Sequence, residues 1–110
     1  MREMLQWASQ GEASGVLFNK FGFTSDDRSV LKQAHLSGVA DRGWGQAEFA
    51  ANDFSHYIAI WQGPASSERP PAIQVIRFAK TGTYALMVRG RVIASDKRLD
   101  KILPVLAIVS

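Results

Sequence analysis

Apolar and polar residues alternate most regularly in the second half of the chain, where β-branched and aromatic runs are separated by turn residues. This period of two predicts strands rather than helices. The predicted elements, in order, are a strand at 56–62, a strand at 72–79, a turn at Thr81-Gly82, a strand at 83–89, a turn at Arg89-Gly90 and a strand at 91–94. The pattern therefore predicts an antiparallel sheet of about four strands within residues 56–94.

Helical patterns flank this predicted sheet on both sides. Residues 2–10 are rich in helix formers, and a second helix begins at Thr24-Ser25-Asp26-Asp27, where a hydroxyl caps the helix and two carboxylates complement its dipole. Gly38 is its expected end. A final helix follows a cap at Ser95 or Asp96 and contains Pro104. We expect one α+β domain over residues 1–110, with N-terminal and C-terminal helices packed on the sheet.

Other segments have weaker patterns. Residues 41–45 predict an exposed turn, residues 46–54 a short helix, and residues 63–71 a polar loop bounded by prolines. Residues 16–23 fit either a strand or an aromatic-rich loop, and residues 105–109 fit either a helix or a strand.

Both faces of the predicted sheet are largely apolar. With two-residue turns, the first face carries Ile73, Val75, Arg77, Tyr84, Leu86, Val88 and Ile93, and the second carries Gln74, Ile76, Phe78, Ala85, Met87, Val92 and Ala94. A sheet with one solvated face alternates apolar and polar residues. Each face therefore needs a cover, supplied by helices or by another subunit, and we expect a homodimer.

Composition narrows the class of protein. The 110 residues are 46% hydrophobic and 21% charged, with 9 Gly and 4 Pro, which excludes a mostly disordered or multidomain chain. The absence of cysteine excludes disulfides and thiolate chemistry. No apolar run near the start resembles a signal peptide, and none is long enough to span a membrane. We therefore expect a cytoplasmic protein without membrane contact.

Charge is distributed unevenly along the chain. Residues 1–55 carry five basic and seven acidic residues, whereas residues 56–110 carry eight basic and three acidic residues. This uneven distribution has two interpretations: either the two halves complement each other within one fold, or the basic half binds an anionic partner. The basic residues nearest the last predicted turn and helix are Arg89, Arg91, Lys97, Arg98 and Lys101. They define one alternative function, an accessory protein that binds nucleic acid.

Motifs for catalysis are weak. The two histidines, His35 and His56, have no metal-ligand spacing, and no nucleophile elbow or phosphate-binding glycine loop occurs. The sequence favours a protein that is not an enzyme, with no metal and no cofactor. Arg77 is the exception among apolar residues, diagonal to Tyr84 in the predicted register, and serves either as a structural residue or as an anion site. Asp53 and Asp100 are the carboxylates we expect it to meet if it is buried in an ion pair.

Three functions remain open. The leading prediction is a small non-enzymatic binding or regulatory protein that acts through protein contacts as a homodimer. The nucleic-acid accessory protein is the first alternative. The second alternative is a small-molecule-binding domain with an aromatic pocket, for which the candidate residues are Trp44, Phe49, Tyr57, Trp61, Tyr84, His56 and Arg77.

Overall fold

The computed structural model describes residues 21–109. Within them the elements are helix α1 (Ser25–Arg42), strands β1 (Ala47–Ala51), β2 (Ser55–Ile60), β3 (Ile73–Phe78), β4 (Tyr84–Val88) and β5 (Arg91–Asp96), and helix α2 (Leu99–Leu106). The helix predicted at 2–10 and most of the segment at 16–23 lie outside the described residues. Residues 21–23, the described end of that segment, form no strand.

Helix α1 begins where its capping residues predict and ends later than its glycine suggests. Thr24 Oγ1 accepts a hydrogen bond from the Asp27 amide at 3.0 Å, and the Asp27 carboxylate accepts one from the Thr24 amide at 3.1 Å. The predicted end at Gly38 is wrong, because the helix continues to Arg42 and stops at Gly43, which has a φ of 72°. Gly38 instead provides room for Trp44, since a Cβ at Gly38 would overlap that ring.

The sheet is a single antiparallel meander in the order β1-β2-β3-β4-β5. The α+β single-domain prediction is confirmed, with five strands instead of about four. The additional strand is β1, in the segment predicted to be a short helix. Its residues pair with β2, for example Phe49 with Ile58, because cross-strand packing overrides the helix propensity of an alanine-rich run.

The pairing register of the strands differs from the predicted register at two places. Arg77 lies directly opposite Tyr84, two residues from the pairing that a Thr81-Gly82 turn implies, which leaves the faces of β3 and β4 unchanged. Between β4 and β5, a bulge makes Leu86 pair with Ala94 and Met87 with Val92, so that Ile93 is the extra residue. Ala94 therefore lies on the face with Leu86, so its predicted face assignment is wrong, and Ile93 has no pairing partner in the register.

Both helices pack on one face of the sheet, which we call the covered face. The core there contains Phe23, Leu31, Trp44, Ile58, Ile60, Ile73, Val75, Tyr84, Leu86, Leu99, Ile102, Leu106 and Val109. Helix α2 lies against β4 and β5 and contacts α1. It contains Pro104 and continues to Leu106, so the strand alternative for residues 105–109 is wrong. The predicted cap at Ser95 or Asp96 is wrong, because the N-cap is Arg98 and it makes no side-chain cap hydrogen bond. Asp96 Oδ1 accepts from the Arg98 amide at 2.9 Å just before the helix.

The opposite face of the sheet, which we call the open face, carries no helix among the described residues. Its register positions are Glu48, Ala50, Ser55, Tyr57, Ala59, Gln74, Ile76, Phe78, Ala85, Met87, Val92 and Ser95. Among residues 21–109, the single core cluster draws its strand residues from the covered face only.

Candidate functional site

Three of the predicted site residues form a polar row across the covered face. His56 pairs with Arg77, and Arg77 pairs with Tyr84, on three neighbouring strands. The first turn of α1 adds Asp27, whose Oδ2 accepts a hydrogen bond from the Tyr84 hydroxyl at 2.8 Å and lies 3.7 Å from Arg77 Nη1. The sequence predicts that Asp27 complements the dipole of α1 but does not predict these contacts, because they join residues 50 or more positions apart.

Arg77 is engaged by groups of its own chain. Its Nε donates to the Gly82 carbonyl at 3.0 Å and its Nη1 donates to the Gly22 carbonyl at 2.8 Å. The guanidinium also lies 4.8 Å from the Tyr84 ring centroid, within cation–π range. These contacts favour the structural alternative over an anion site. Its carboxylate partner is Asp27, not Asp53 or Asp100; Asp100 is bonded to Arg98 instead.

His56 and Tyr84 are held in their neutral forms by this environment. Burial, with smaller effects from Arg28 and Arg77, lowers the pKa of His56 below its usual 6.5. Its Nδ1 accepts from the Phe23 amide at 3.3 Å, which is the geometry of an unprotonated nitrogen. Burial, reinforced by the hydrogen bond and charge of Asp27, raises the pKa of Tyr84 to about 12. The row therefore fastens the start of α1 to the sheet.

The proposed aromatic pocket is divided between the two faces. Trp44 is 4% exposed and lies in the core, with the Arg42 guanidinium 4.5 Å from its ring, so the predicted exposed turn at 41–45 is wrong for this residue. Phe49 is on the covered face, whereas the alternation along β2 places Tyr57 on the open face and Trp61 just beyond its end. These four side chains do not line a common pocket.

Trp61 has a separate structural contact. Its indole Nε1 donates to the Arg69 carbonyl at 3.0 Å, and Gln46 accepts from the Ala65 amide at 2.8 Å. The predicted loop at 63–71 contains no helix or strand and is tied down at this end of the open face.

The basic residues proposed for nucleic-acid binding occupy both ends of β5. Arg89 and Arg91 lie at the β4–β5 turn, where Arg89 has a φ of 50°. Lys97 and Arg98 follow the other end of the strand, and Lys101 is an exposed residue of α2. A six-residue strand spans about 20 Å. The fold therefore separates the two groups, and nucleic-acid binding by them stays a prediction.

The open face carries apolar residues outside the core. Phe78 is 41% exposed and Val92 60%, while Tyr57, Ile76 and Met87 are half-buried. At the end where β3 and β4 are joined, the face continues into a mainly apolar depression. That depression is lined by Asp53, Phe54, Phe78, Ala79, Lys80, Thr81 and Thr83.

No protein-family model, curated protein or solved structure matches this chain. Within residues 21–109, no helix has both the length and the apolar character needed to cross a bilayer, and no group of three or more potential ligand side chains is placed to hold a metal ion.

Proposed function

We propose that this is a small non-enzymatic binding or regulatory protein that acts through protein contacts, and that it self-associates through the open face. The observation that supports this is the contrast between the faces of one sheet. Helices cover the first, while Tyr57, Ile76 and Met87 occupy the centre of the second with no described helix over them. At the margins of this second face Phe78 and Val92 are exposed, and exposed apolar surface is typical of interaction sites.

The residue types on the open face suit a protein interface. Tyrosine, tryptophan and methionine are enriched in interfaces, and here they are Tyr57, Trp61 and Met87. Ala59 and Ala85 are buried among these larger neighbours, which gives the face hollows and ridges. A facing surface of the same relief can interdigitate with it, as inner faces do in a β-sandwich.

The size of the face limits the strength of association. Five strands about 4.8 Å apart and about 20 Å long give a face of roughly 24 by 20 Å, or about 480 Å² in projection. A standard interface buries about 800 Å² per partner. Even the whole face is therefore smaller than a standard interface, which predicts weak self-association. We expect micromolar affinity.

Sedimentation across a micromolar concentration series tests this proposal. The wild type should approach twice 12.1 kDa as concentration rises. Ile76→Lys places a charge at the centre of the open face and should leave a folded monomer. Leu36→Lys is the matched control, because Leu36 is an exposed residue of α1, and it should dimerise like the wild type. A wild type that stays monomeric, or equal loss in both variants, contradicts the proposal.

A further inference from the structure

We propose that the depression at the end of the open face binds a small aromatic zwitterion, meaning an aromatic molecule with one ammonium and one carboxylate group, as in aromatic amino acids and their short peptides. The depression lies between the turn at 52–54 and the turn at 79–83, and its volume is about 780 Å³. Small-molecule sites have volumes of roughly 300–1,000 Å³. Binding in this depression does not require self-association through the open face.

Two phenylalanine rings give the depression its apolar character. Phe54 is 78% exposed and Phe78 is 41% exposed, although phenylalanine is among the residues most often buried in folded proteins. Both side chains line the depression. Aromatic rings pack against one another in offset-stacked or edge-to-face geometry. An aromatic ligand would therefore cover the exposed rings of the depression.

Hydrogen bonds hold the backbone of both turns in place. The Asn52 side-chain carbonyl accepts a hydrogen bond from the Phe54 amide at 2.8 Å. The Phe54 carbonyl accepts one from the Ala79 amide at 2.8 Å, and this bond joins the two turns. In the second turn, the Gly82 amide donates to the Phe78 carbonyl at 2.8 Å. Ligand binding therefore requires little ordering of the backbone, which lowers its entropic cost.

Asp53 and Lys80 place opposite charges on the lining of the depression. Both residues are exposed, and neither is in an ion pair with another residue of 21–109. A ligand with only a carboxylate would bring it near the like charge of Asp53, and a ligand with only an ammonium would do the same at Lys80. A zwitterion can pair its ammonium with Asp53 and its carboxylate with Lys80. Charge complementarity therefore favours a zwitterion over a singly charged ligand.

Titrations followed by NMR of the backbone amides test the ligand class with defined probes. L-Phenylalanine and the dipeptide glycyl-phenylalanine should shift the signals of residues 52–54 and 78–83, with dissociation constants of about 1 mM or below. The tighter of the two identifies whether a free amino acid or a peptide fits better. Phenylpropionate, which lacks the ammonium, and phenylethylamine, which lacks the carboxylate, should bind about threefold or more weakly than L-phenylalanine.

Variants test which side chains make the site. Phe54→Ala should weaken the binding of L-phenylalanine about three- to tenfold, and Leu36→Ala, at an exposed residue of α1, is its control. Asp53→Asn should weaken the binding of L-phenylalanine but not that of phenylpropionate. Asp41→Asn, at an exposed residue of α1, should change neither. Lys80→Met should weaken the binding of L-phenylalanine but not that of phenylethylamine.

The results either support the site or overturn it. Signal shifts confined to the two turns, with the expected order of ligands, support it. The absence of shifts with both zwitterions at millimolar concentration, or shifts only elsewhere in the protein, overturns it. If phenylpropionate or phenylethylamine binds as tightly as L-phenylalanine, the ligand class is wrong. If Phe54→Ala, Asp53→Asn and Lys80→Met all bind L-phenylalanine like the wild type, the location is wrong.

Discussion

The two faces of the sheet differ less in hydrophobicity than in what fastens a helix to them. Ile58, Val75 and Leu86 on one face alternate with Tyr57, Ile76 and Met87 on the other. Only the first face has the polar row that bonds to Asp27 at the start of α1. Apolar alternation therefore creates two faces that both favour burial, and directional polar contacts attach α1 to one of them.

The largest contrast is expected at Leu86 and Met87, adjacent residues on opposite faces. Leu86 is fully buried, so Leu86→Ala should cost about 2–5 kcal/mol of unfolding free energy through lost burial and a cavity. Met87→Ala should cost about 1 kcal/mol or less, since Met87 is only half-buried, while weakening self-association. Urea denaturation of both variants measures the contrast. Equal destabilisation would mean that the open face is packed as tightly as the covered one.

Arg77 and Gln74 provide a second comparison of the two faces, because they lie on opposite faces of the same strand, β3. Arg77→Met removes the donors to the Gly22 and Gly82 carbonyls and leaves the Asp27 carboxylate without its cation. We expect a loss of about 1–3 kcal/mol. Gln74→Met, on the open face, should change stability little. A variant Arg77→Met as stable as the wild type would show that the stem of this side chain matters more than its charge.

Tyr84→Phe removes one hydrogen bond of the polar row and should cost about 1 kcal/mol at neutral pH. The pKa of Tyr84 is raised from 10.0 to about 12 in the folded protein. Its contribution to stability is therefore complete below pH 10 and is lost as pH rises from 10 to about 12. Melting temperature measured over this range should fall more steeply for the wild type than for Tyr84→Phe. Parallel curves would contradict the role given to the hydroxyl.

The smallest expected effect is on the stability of the protein at acidic pH. The pKa of His56 is lowered by folding, so the unfolded chain takes up its proton first as pH falls below 6.5. The stability associated with a neutral His56 is thus present above pH 6.5 and decreases below it. His56→Gln should reduce the slope of stability against pH in this window, and His35→Gln serves as the comparison. An unchanged slope in His56→Gln counts against burial of a neutral ring.

Local patterns in the sequence were sufficient for the hairpins of β3, β4 and β5, because turn residues and strand periodicity are adjacent along the chain. They failed for β1 and Trp44. The run Ala-Glu-Phe-Ala-Ala has helix propensity and becomes a strand only by pairing with β2. Trp44 stands between two glycines, typical of a turn, and its burial depends on space at Gly38, six residues earlier.

The polar row also shows that local sequence patterns do not predict contacts between residues far apart in the chain. Its members His56, Arg77 and Tyr84 were each identifiable as polar or amphipathic residues in apolar surroundings. Their partner Asp27 was not, because its local role as a helix cap fully accounts for a carboxylate at that position. The bulge at Ile93 was likewise undetectable, since a regular strand would have placed an equally apolar residue opposite Leu86.

The meander has a consequence for the order in which the protein folds. Every strand pairs with its immediate neighbour along the chain, so each hairpin closes over a loop of at most 12 residues, which costs less entropy than closing a longer one. Contacts between Asp27 and the residues Arg77 and Tyr84, 50 and 57 positions away, must instead close a long loop. We therefore expect the sheet to form early during folding and α1 to pack onto it in a later step. Tyr84→Phe should then accelerate unfolding while leaving the refolding rate nearly unchanged.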